Sequence, residues 1–332
     1  MITRTLGRTG IRVSEYCLGA MMFGSMGNKD HGDSIRIIHR ALDGGINFID
    51  TAALYSGGES EEIVGEALKG RRDGVVLSTK IIQQQGLSRG VVIRSLEESL
   101  RRLGTDYVDL YLIHRPDPET DIDVTLDALS DLVRAGKVRA IGTSTFSPDQ
   151  LVEAQWTAEK RGHVRPSIEQ PPYSILNRAI EATTLPIAEK FGMGVMTWGP
   201  LSSGWLSGKP RSESRRAATI EAGRFDTSLF DNQRKQEAVD ALAELARDHG
   251  LTMPHLALAF VRSHPAVTAA IIGPRTMEQL DSLLSGVDAT LSGDVLDRID
   301  AIVPPGIDFN TADAYAVPHP ATVQKELRRR AV

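Results

Sequence analysis

Eight short β-branched or apolar runs alternate with amphipathic segments along almost the whole 332-residue chain. The runs end near Leu18, Ile49, Ser78, Ile113, Ile141, Glu169, Thr197 and Ile272. Between them, Ser34–Leu42, Glu59–Leu68, Val91–Leu103, Leu126–Val133, Gln150–Lys160, Arg178–Phe191 and Gln233–His249 carry apolar residues at helical spacing. Gly104, Gly192 and Gly250 follow three of these where a helix end favours glycine. Such alternation demands a parallel sheet. Eight units favour closure over an open sheet. An open dinucleotide-binding sheet should show G-x-G-x-x-G after its first strand, and Leu18-Gly19-Ala20-Met21-Met22-Phe23-Gly24 does not fit. The expected fold is therefore α/β: a (β/α)8 TIM barrel, residues 1–332 forming one domain. A hairpin of Arg4–Thr9 and Arg12–Glu15 about Gly10 precedes it.

Two segments break the rhythm. Residues 205–231 form a long polar stretch, and from Lys209 to Arg224 it sets Lys209, Arg211, Arg215, Arg216 and Arg224 against only Glu213 and Glu221. Loops of that length inside compact folds are commonly functional. Residues 304–332 read as an irregular tail ending in a short basic helix around Lys325–Arg330.

The net charge of −5 gives no reason to expect nucleic acid or a membrane surface as partner. No run of eighteen apolar residues and no apolar leader after Met1 is present, so a cytoplasmic protein is expected. The one cysteine, Cys17, stands among apolar neighbours and reads as a buried small side chain. No His, Asp or Glu cluster has metal-ligand spacing. His39, His163 and His249 fall in or beside helices and read as solvated.

Chemistry concentrates at strand ends, where barrel enzymes place it. Asp50 and Tyr55 follow the second run, Lys80 the third and His114 the fourth. Alone, each is ordinarily a turn or rim residue. Their joint placement on neighbouring strands is what carries weight. A phenol is a weak acid with a pKa of roughly 10. An ammonium beside it, held by a carboxylate, is expected to lower that value. With His114 donating to an oxygen, the four suit carbonyl reduction. Tyr107 and Tyr111 read as packing residues, whereas Tyr173 and Tyr315 stay unplaced. After the eighth run, Gly273-Pro274-Arg275 opens a helix, which makes an anion site with Arg275 as a phosphate ligand. Trp198, with Gly199, Leu201, Ser202, Ser203 and Gly204 behind it, offers a stacking face and a phosphate approach. Ser144 and Gln170 stand ready for a carboxamide.

These residues resemble the aldo-keto reductase superfamily, near its bacterial branch and the potassium-channel β-subunit-like members. The likeness lies in Leu6–Gly10, Leu18–Met21, Gly45–Ala52 with Tyr55 and Ser60-Glu61, Leu112–His114, Lys137–Gly142 and the Gln279-Leu280 helix. It implies a reductase of aldehydes or ketones that uses NADPH/NADP+ and works on a small-molecule carbonyl. Tyr55 is then the general acid, Lys80 and Asp50 lower its pKa, and His114 orients the carbonyl. Cofactor contacts are implied for Gly19, Met21, Asp50, Ser144, Gln170, Trp198, Gly199, Leu201, Ser203, Gly204, Lys209, Gly273, Arg275 and Gln279. Arg275 would take the 2′-phosphate, and residues 205–231 would cover the cofactor. The chain departs from the family pattern at Ser144-Thr145, at Ser282-Leu283 and in the long loop after Gly204. Thr145 replaces an asparagine after Ser144, and Ser282 and Leu283 stand where Glu and Asn often face adenine. Oxidation of an alcohol or sugar with NADP+ needs the same residues, and a slow NADPH-binding regulatory subunit is the alternative of another class.

Overall fold

The computed structural model describes residues 1–209 and 226–315. The chain begins with an antiparallel hairpin, β1 (Thr3–Thr5) and β2 (Arg12–Ser14), shorter than the sequence suggests. Eight parallel strands follow: β3 (Tyr16–Gly19), β4 (Phe48–Asp50), β5 (Val76–Ile81), β6 (Val108–Ile113), β7 (Val138–Ser144), β8 (Ile168–Gln170), β9 (Gly194–Thr197) and β10 (Ala269–Ile272). Each pairs with the next and β10 pairs with β3, closing the expected (β/α)8 barrel. Helices α1 (His31–Asp43), α2 (Glu59–Ala67), α3 (Arg89–Leu103), α4 (Ile122–Arg134), α5 (Pro148–Arg161) and α6 (Thr184–Phe191) fill the crossovers up to β9. Among the described residues, α7 (Phe230–Asp248), α8 (Met253–Ser263), α9 (Met277–Ser285) and α10 (Gly293–Ile302) complete the helical set.

Strand parity divides the core in two. Cys17, Phe48, Val76, Leu110, Leu112, Ala140, Ile168 and Met196 pack inside the barrel with Leu6 and Val13 of the hairpin region as its floor. Their strand neighbours Leu18, Ile49, Leu77, Tyr111, Ile113, Ile141 and Val195 pack outward against the helices. Gly142 has no room for a side chain, because a Cβ there would meet Leu112 at 2.6 Å. Cys17 is fully buried, as expected.

Three local expectations change. Residues 178–191 are not one helix: a 3-10 turn over Ala179–Ala182 precedes α6. Pro186 explains the break, since its ring would strike the carbonyl of Ala182 in a continuous helix. β5 runs past Ser78, so Lys80 lies within the strand rather than beyond it. A charged residue is stable there because its ammonium is fully partnered, as described below. His163 and His39 are not solvated. His163 meets Asp123 at 2.7 Å with its side chain 11% exposed, and His39 contacts the Ala67 carbonyl at 2.8 Å. Only part of the 205–231 stretch and of the 304–332 tail is described. The Arg211–Arg224 group and the basic segment at Lys325–Arg330 lie outside the described residues. Among the described residues, no helix is long and apolar enough to cross a membrane.

Candidate active site

The inward parity of the core continues one layer up, and that layer is the site. Beyond Cys17 comes Gly19, beyond Phe48 Asp50, and beyond Leu112 His114. Beyond Gly142 comes Ser144, beyond Ile168 Gln170, and beyond Met196 Trp198. Lys80 stands two pairs beyond Val76 on the same face of β5. The outward residues fix this register from behind. Thr79 donates to Glu61 of α2 at 2.5 Å, and Arg102 of α3 donates to the other oxygen of the same carboxylate at 2.6 Å. Ser60 donates to the Ala20 carbonyl and meets the Thr51 hydroxyl at 2.9 Å. The Ser60-Glu61 pair that marked the family likeness therefore clamps α2 onto the strands that carry Asp50 and Lys80.

Lys80 is fully buried, and its ammonium has three hydrogens and three acceptors. They are Asp50 Oδ2 at 2.6 Å, the Thr51 carbonyl at 2.8 Å and the Tyr55 hydroxyl at 3.3 Å. The second Asp50 oxygen accepts from Gln170 Nε2 at 3.1 Å. Tyr55 sits on a tight turn in which Ser56, Gly57 and Gly58 all have positive φ. The turn lies flat against α3, because a Cβ on Gly58 would meet Arg102 at 2.7 Å. The His114 ring packs edge-on to Tyr55, with centroids 5.7 Å apart and planes at 82°.

The electrostatics correct one expectation. Burial raises the Tyr55 pKa above its ordinary value, and Asp50 adds to this. Lys80 pulls it down, as reasoned from the sequence, but does not prevail. The cost of placing a phenolate in a buried site exceeds the attraction of an ammonium already neutralised by Asp50. Tyr55 therefore holds its proton at neutral pH. For Lys80, burial acts downward, but Asp50 and then Tyr55 outweigh it and its pKa ends raised. Burial, with Lys80 and Arg115 nearby, pushes His114 down to about 3, so the imidazole is neutral.

Beside this cluster, Ser144 donates to the Gln170 carbonyl at 2.9 Å. The next residue, Thr145, has φ +58°, a left-handed conformation that a β-branched side chain adopts only under strain. An asparagine, the family's usual residue there, tolerates that region better. Glu169 holds the strained turn from outside the barrel. Its carboxylate accepts from the Thr143 hydroxyl and from the Phe146 N–H at 3.3 Å. Burial pushes Glu169 up to about 7. The native state thus binds more protons than the unfolded chain between about pH 4.5 and 7, and stability falls as pH rises through that window. The Glu169→Gln variant should escape this loss. Its melting temperature relative to the parent should climb from pH 4.5 to 7 in scanning calorimetry; a gap that stays constant with pH would refute the assignment.

The tail reaches the same mouth. Asn177 donates to the Asp313 carbonyl at 2.6 Å, and Lys235 pairs with the Asp313 carboxylate. Tyr315 then lies against Trp198, with ring centroids 4.9 Å apart, and its hydroxyl meets the Ser203 hydroxyl at 3.1 Å. Arg115 donates to the Tyr315 carbonyl at 2.8 Å. Neither Arg115 nor Tyr315 was placed at the site by sequence reasoning. Arg115 had a usable signal, its position directly after His114 at a strand end; Tyr315 had none, being fixed by long-range contacts.

Not all residues read from the sequence converge. Trp198, Gly199, Leu201, Ser203 and Gly204 form one turn after β9, with positive φ at Gly199, Ser202, Ser203 and Gly204. Lys209 stands exposed at the edge of the described chain. Gly273, Arg275 and Gln279 lie after β10 at the start of α9. There Gln279 accepts the Arg275 N–H at 2.9 Å, and Asn28 donates to the Arg275 carbonyl at 3.1 Å. Both backbone groups are pinned, while the guanidinium meets no partner among the described residues. Gly273 beside it opens onto free space. Met21 lies in the loop after β3. Leu283 is buried in the core, so of the Ser282–Leu283 pair only Ser282 faces outward.

A barrel of this topology with a buried Asp-Lys-Tyr chain and a neutral histidine at one mouth defines a class of oxidoreductase. Residues 15–304 match the model of the aldo/keto reductase family, and the chain belongs to that family. It is 40% identical over 329 residues to the uncharacterized oxidoreductase YrpG of Bacillus subtilis, covering 94% of this chain and 98% of that one. It is 35% identical over 316 residues to the aldo-keto reductase YhdN of the same organism, covering 90% and 92%. A probable voltage-gated potassium channel subunit beta of Oryza sativa is 34% identical over 318 residues, covering 90% and 96%.

Proposed function

We propose that this protein reduces an aldehyde or ketone with NADPH in the cytoplasm, with Tyr55 as proton donor. The observation that carries the reading is the fully buried Lys80 ammonium, which joins the Asp50 carboxylate to the Tyr55 hydroxyl. When bound, the nicotinamide supplies the hydride to the carbonyl carbon. The chain's own residues handle the oxygen. The neutral His114 donates a hydrogen bond to it and Tyr55, protonated at neutral pH, delivers the proton. Lys80 is then positioned to stabilise the phenolate left behind, and Asp50 keeps Lys80 charged. The oxidation of an alcohol uses the same groups in reverse.

The residues present suit a phosphorylated dinucleotide. Ser144 and Gln170 adjoin across the β7–β8 pair and would hold the carboxamide, and Trp198 would stack on the ring. Gly19, Met21 and Asp50 would line the nicotinamide half. The turn after Trp198, with Gly199, Leu201, Ser203, Gly204 and then Lys209, would take the pyrophosphate. The pinned Arg275 backbone leaves its cation for the 2′-phosphate, with Gly273 and Gln279 around the adenosine. The stretch 205–231 would cover the bound cofactor.

The test is NADPH consumption by purified protein against a panel of aldehydes, ketones and aldoses. Turnover of any member supports the reading. Tight NADPH binding without turnover would favour a nucleotide-binding regulatory role instead. For the cofactor end, Arg275→Ala should weaken NADPH roughly 10- to 100-fold in a titration, since charge-assisted hydrogen bonds contribute about 1.5–3 kcal/mol. NADH should change far less. Equal losses for the two nucleotides would mean that Arg275 does not meet the 2′-phosphate.

A further inference from the structure

We infer that Arg115 makes this site selective for carbonyl substrates that carry an anionic group, a carboxylate or a phosphate. The inference rests on reading the Tyr55 cluster as a carbonyl-reducing centre. Arg115 directly follows His114, and its guanidinium carbon lies 5.8 Å from the centre of the Trp198 ring. It is partly buried at the barrel mouth. One nitrogen donates to the Tyr315 carbonyl, a neutral acceptor, and no carboxylate pairs with the group among the described residues.

Among the described residues, that distinguishes it from the other covered cations except Arg275, the proposed ligand of the 2′-phosphate. Lys80 meets Asp50, Arg72 meets Asp109, Arg102 meets Glu61, Arg178 meets Glu181 and Asp300, Arg262 meets Glu15, and Lys235 meets Asp313. Taking a charge out of water is costly, and proteins pair such charges as a rule. Burial holds the Arg115 pKa below its ordinary value, as befits a cation short of a counter-charge. Lys80 and Asp50 cancel, and His114 is neutral. Glu169 is the acid close enough to act on Arg115, but burial pushes it up to about 7 and its carboxylate accepts from Thr143 and Phe146 rather than from the guanidinium. Among the described residues, the Arg115 guanidinium at this mouth thus has no ion-pair partner of its own. The guanidinium has five N–H donors in a planar fork and only one is used within the described structure. A fork with a free edge matches a carboxylate or phosphate in bidentate fashion. A substrate with its carbonyl between Tyr55 and His114 and an anion a few carbons away would complete the pair.

The rival reading is that Arg115 only ties down the tail through Tyr315. Matched aldehydes separate the two. Succinic semialdehyde is compared with butanal, and glyceraldehyde 3-phosphate with glyceraldehyde, at saturating NADPH. The readout is the ratio of kcat/KM within each pair. The parent protein should favour the anionic member of at least one pair roughly 10- to 100-fold, and the favoured pair identifies carboxylate or phosphate. Arg115→Leu should collapse that ratio, and Arg115→Lys should keep part of it. The parent's ratio should also fall as salt rises from 0.05 to 0.5 M, a measurement that needs no variant. A tail anchor would change both members of a pair alike. An Arg115→Leu ratio equal to the parent's, or a parent that shows no preference while reducing the neutral aldehydes, overturns the inference. A parent that reduces none of the four overturns the underlying reading, and the inference with it.

Discussion

Tyr55→Phe should lower turnover by roughly 10²- to 10⁴-fold, the range over which a positioned general acid contributes. The substitution deletes one oxygen and nothing else of consequence. The Phe ring can keep the edge-on packing against His114, and the turn that carries it is set by Ser56, Gly57 and Gly58 rather than by the hydroxyl. The lost hydroxyl leaves one hydrogen of the Lys80 ammonium without an acceptor, while Asp50 and the Thr51 carbonyl still hold the other two. An unmade hydrogen bond of that kind costs about 1–3 kcal/mol, so the variant should fold. NADPH affinity should stay within a few-fold, because the proposed phosphate contacts at Arg275 and in the turn after Trp198 follow other strands, β10 and β9. Steady-state rates together with NADPH titration, followed by intrinsic tryptophan fluorescence, would check both halves. A variant that turns over within tenfold of the parent sinks the assignment of Tyr55 as proton donor. If turnover and NADPH binding fell together, the turn would be bearing on the cofactor rather than on the proton.

The barrel was legible because parity and alternation are local properties. Each strand needs only its own run of β-branched residues, and each amphipathic helix only its own spacing. Where the pattern is not local, the reading fell short. Helix α8 escaped because nearly all of its residues, from Leu256 to Arg262, are buried, so it has no polar face to give a helical stripe. The break at Thr183 was readable from Pro186 but was overridden by the apolar spacing on either side. At the site, Asp50, Lys80, His114, Ser144, Gln170 and Trp198 were legible because strand ends deliver side chains to one rim. The sign of the Tyr55 shift was not, since it depends on how much water the folded mouth excludes. Nor was the contact of Tyr315 with Trp198, which joins residues more than a hundred positions apart through a loop with no periodicity.

Lys80→Met should cost both activity and stability, and the two losses can be separated. The side chains are of similar length, so the volume at the centre of the barrel mouth is nearly conserved. What disappears is the charge. Asp50 is left almost fully buried with only Gln170 donating to its carboxylate. Breaking a buried pair from one side costs about 3–5 kcal/mol, because the surviving charge has neither partner nor water. In a protein of this size that lowers the melting temperature by on the order of 10 °C. Turnover should fall at least as far as in Tyr55→Phe, because a phenolate in this site would lose the cation that does most to offset burial. The double variant Lys80→Met with Asp50→Leu removes both charges at once. Its melting temperature should recover most of the loss, since a buried ion pair replaced by apolar groups of similar bulk is often neutral or stabilising. Its turnover should stay as low as that of the single variant. Recovery of stability without recovery of rate would mean that the pair is retained for chemistry rather than for folding. A double variant as unstable as the single one would place the stabilising contribution in the geometry of β4 and β5 instead. A single variant that kept a tenth of the parent's rate would leave Tyr55 without need of Lys80.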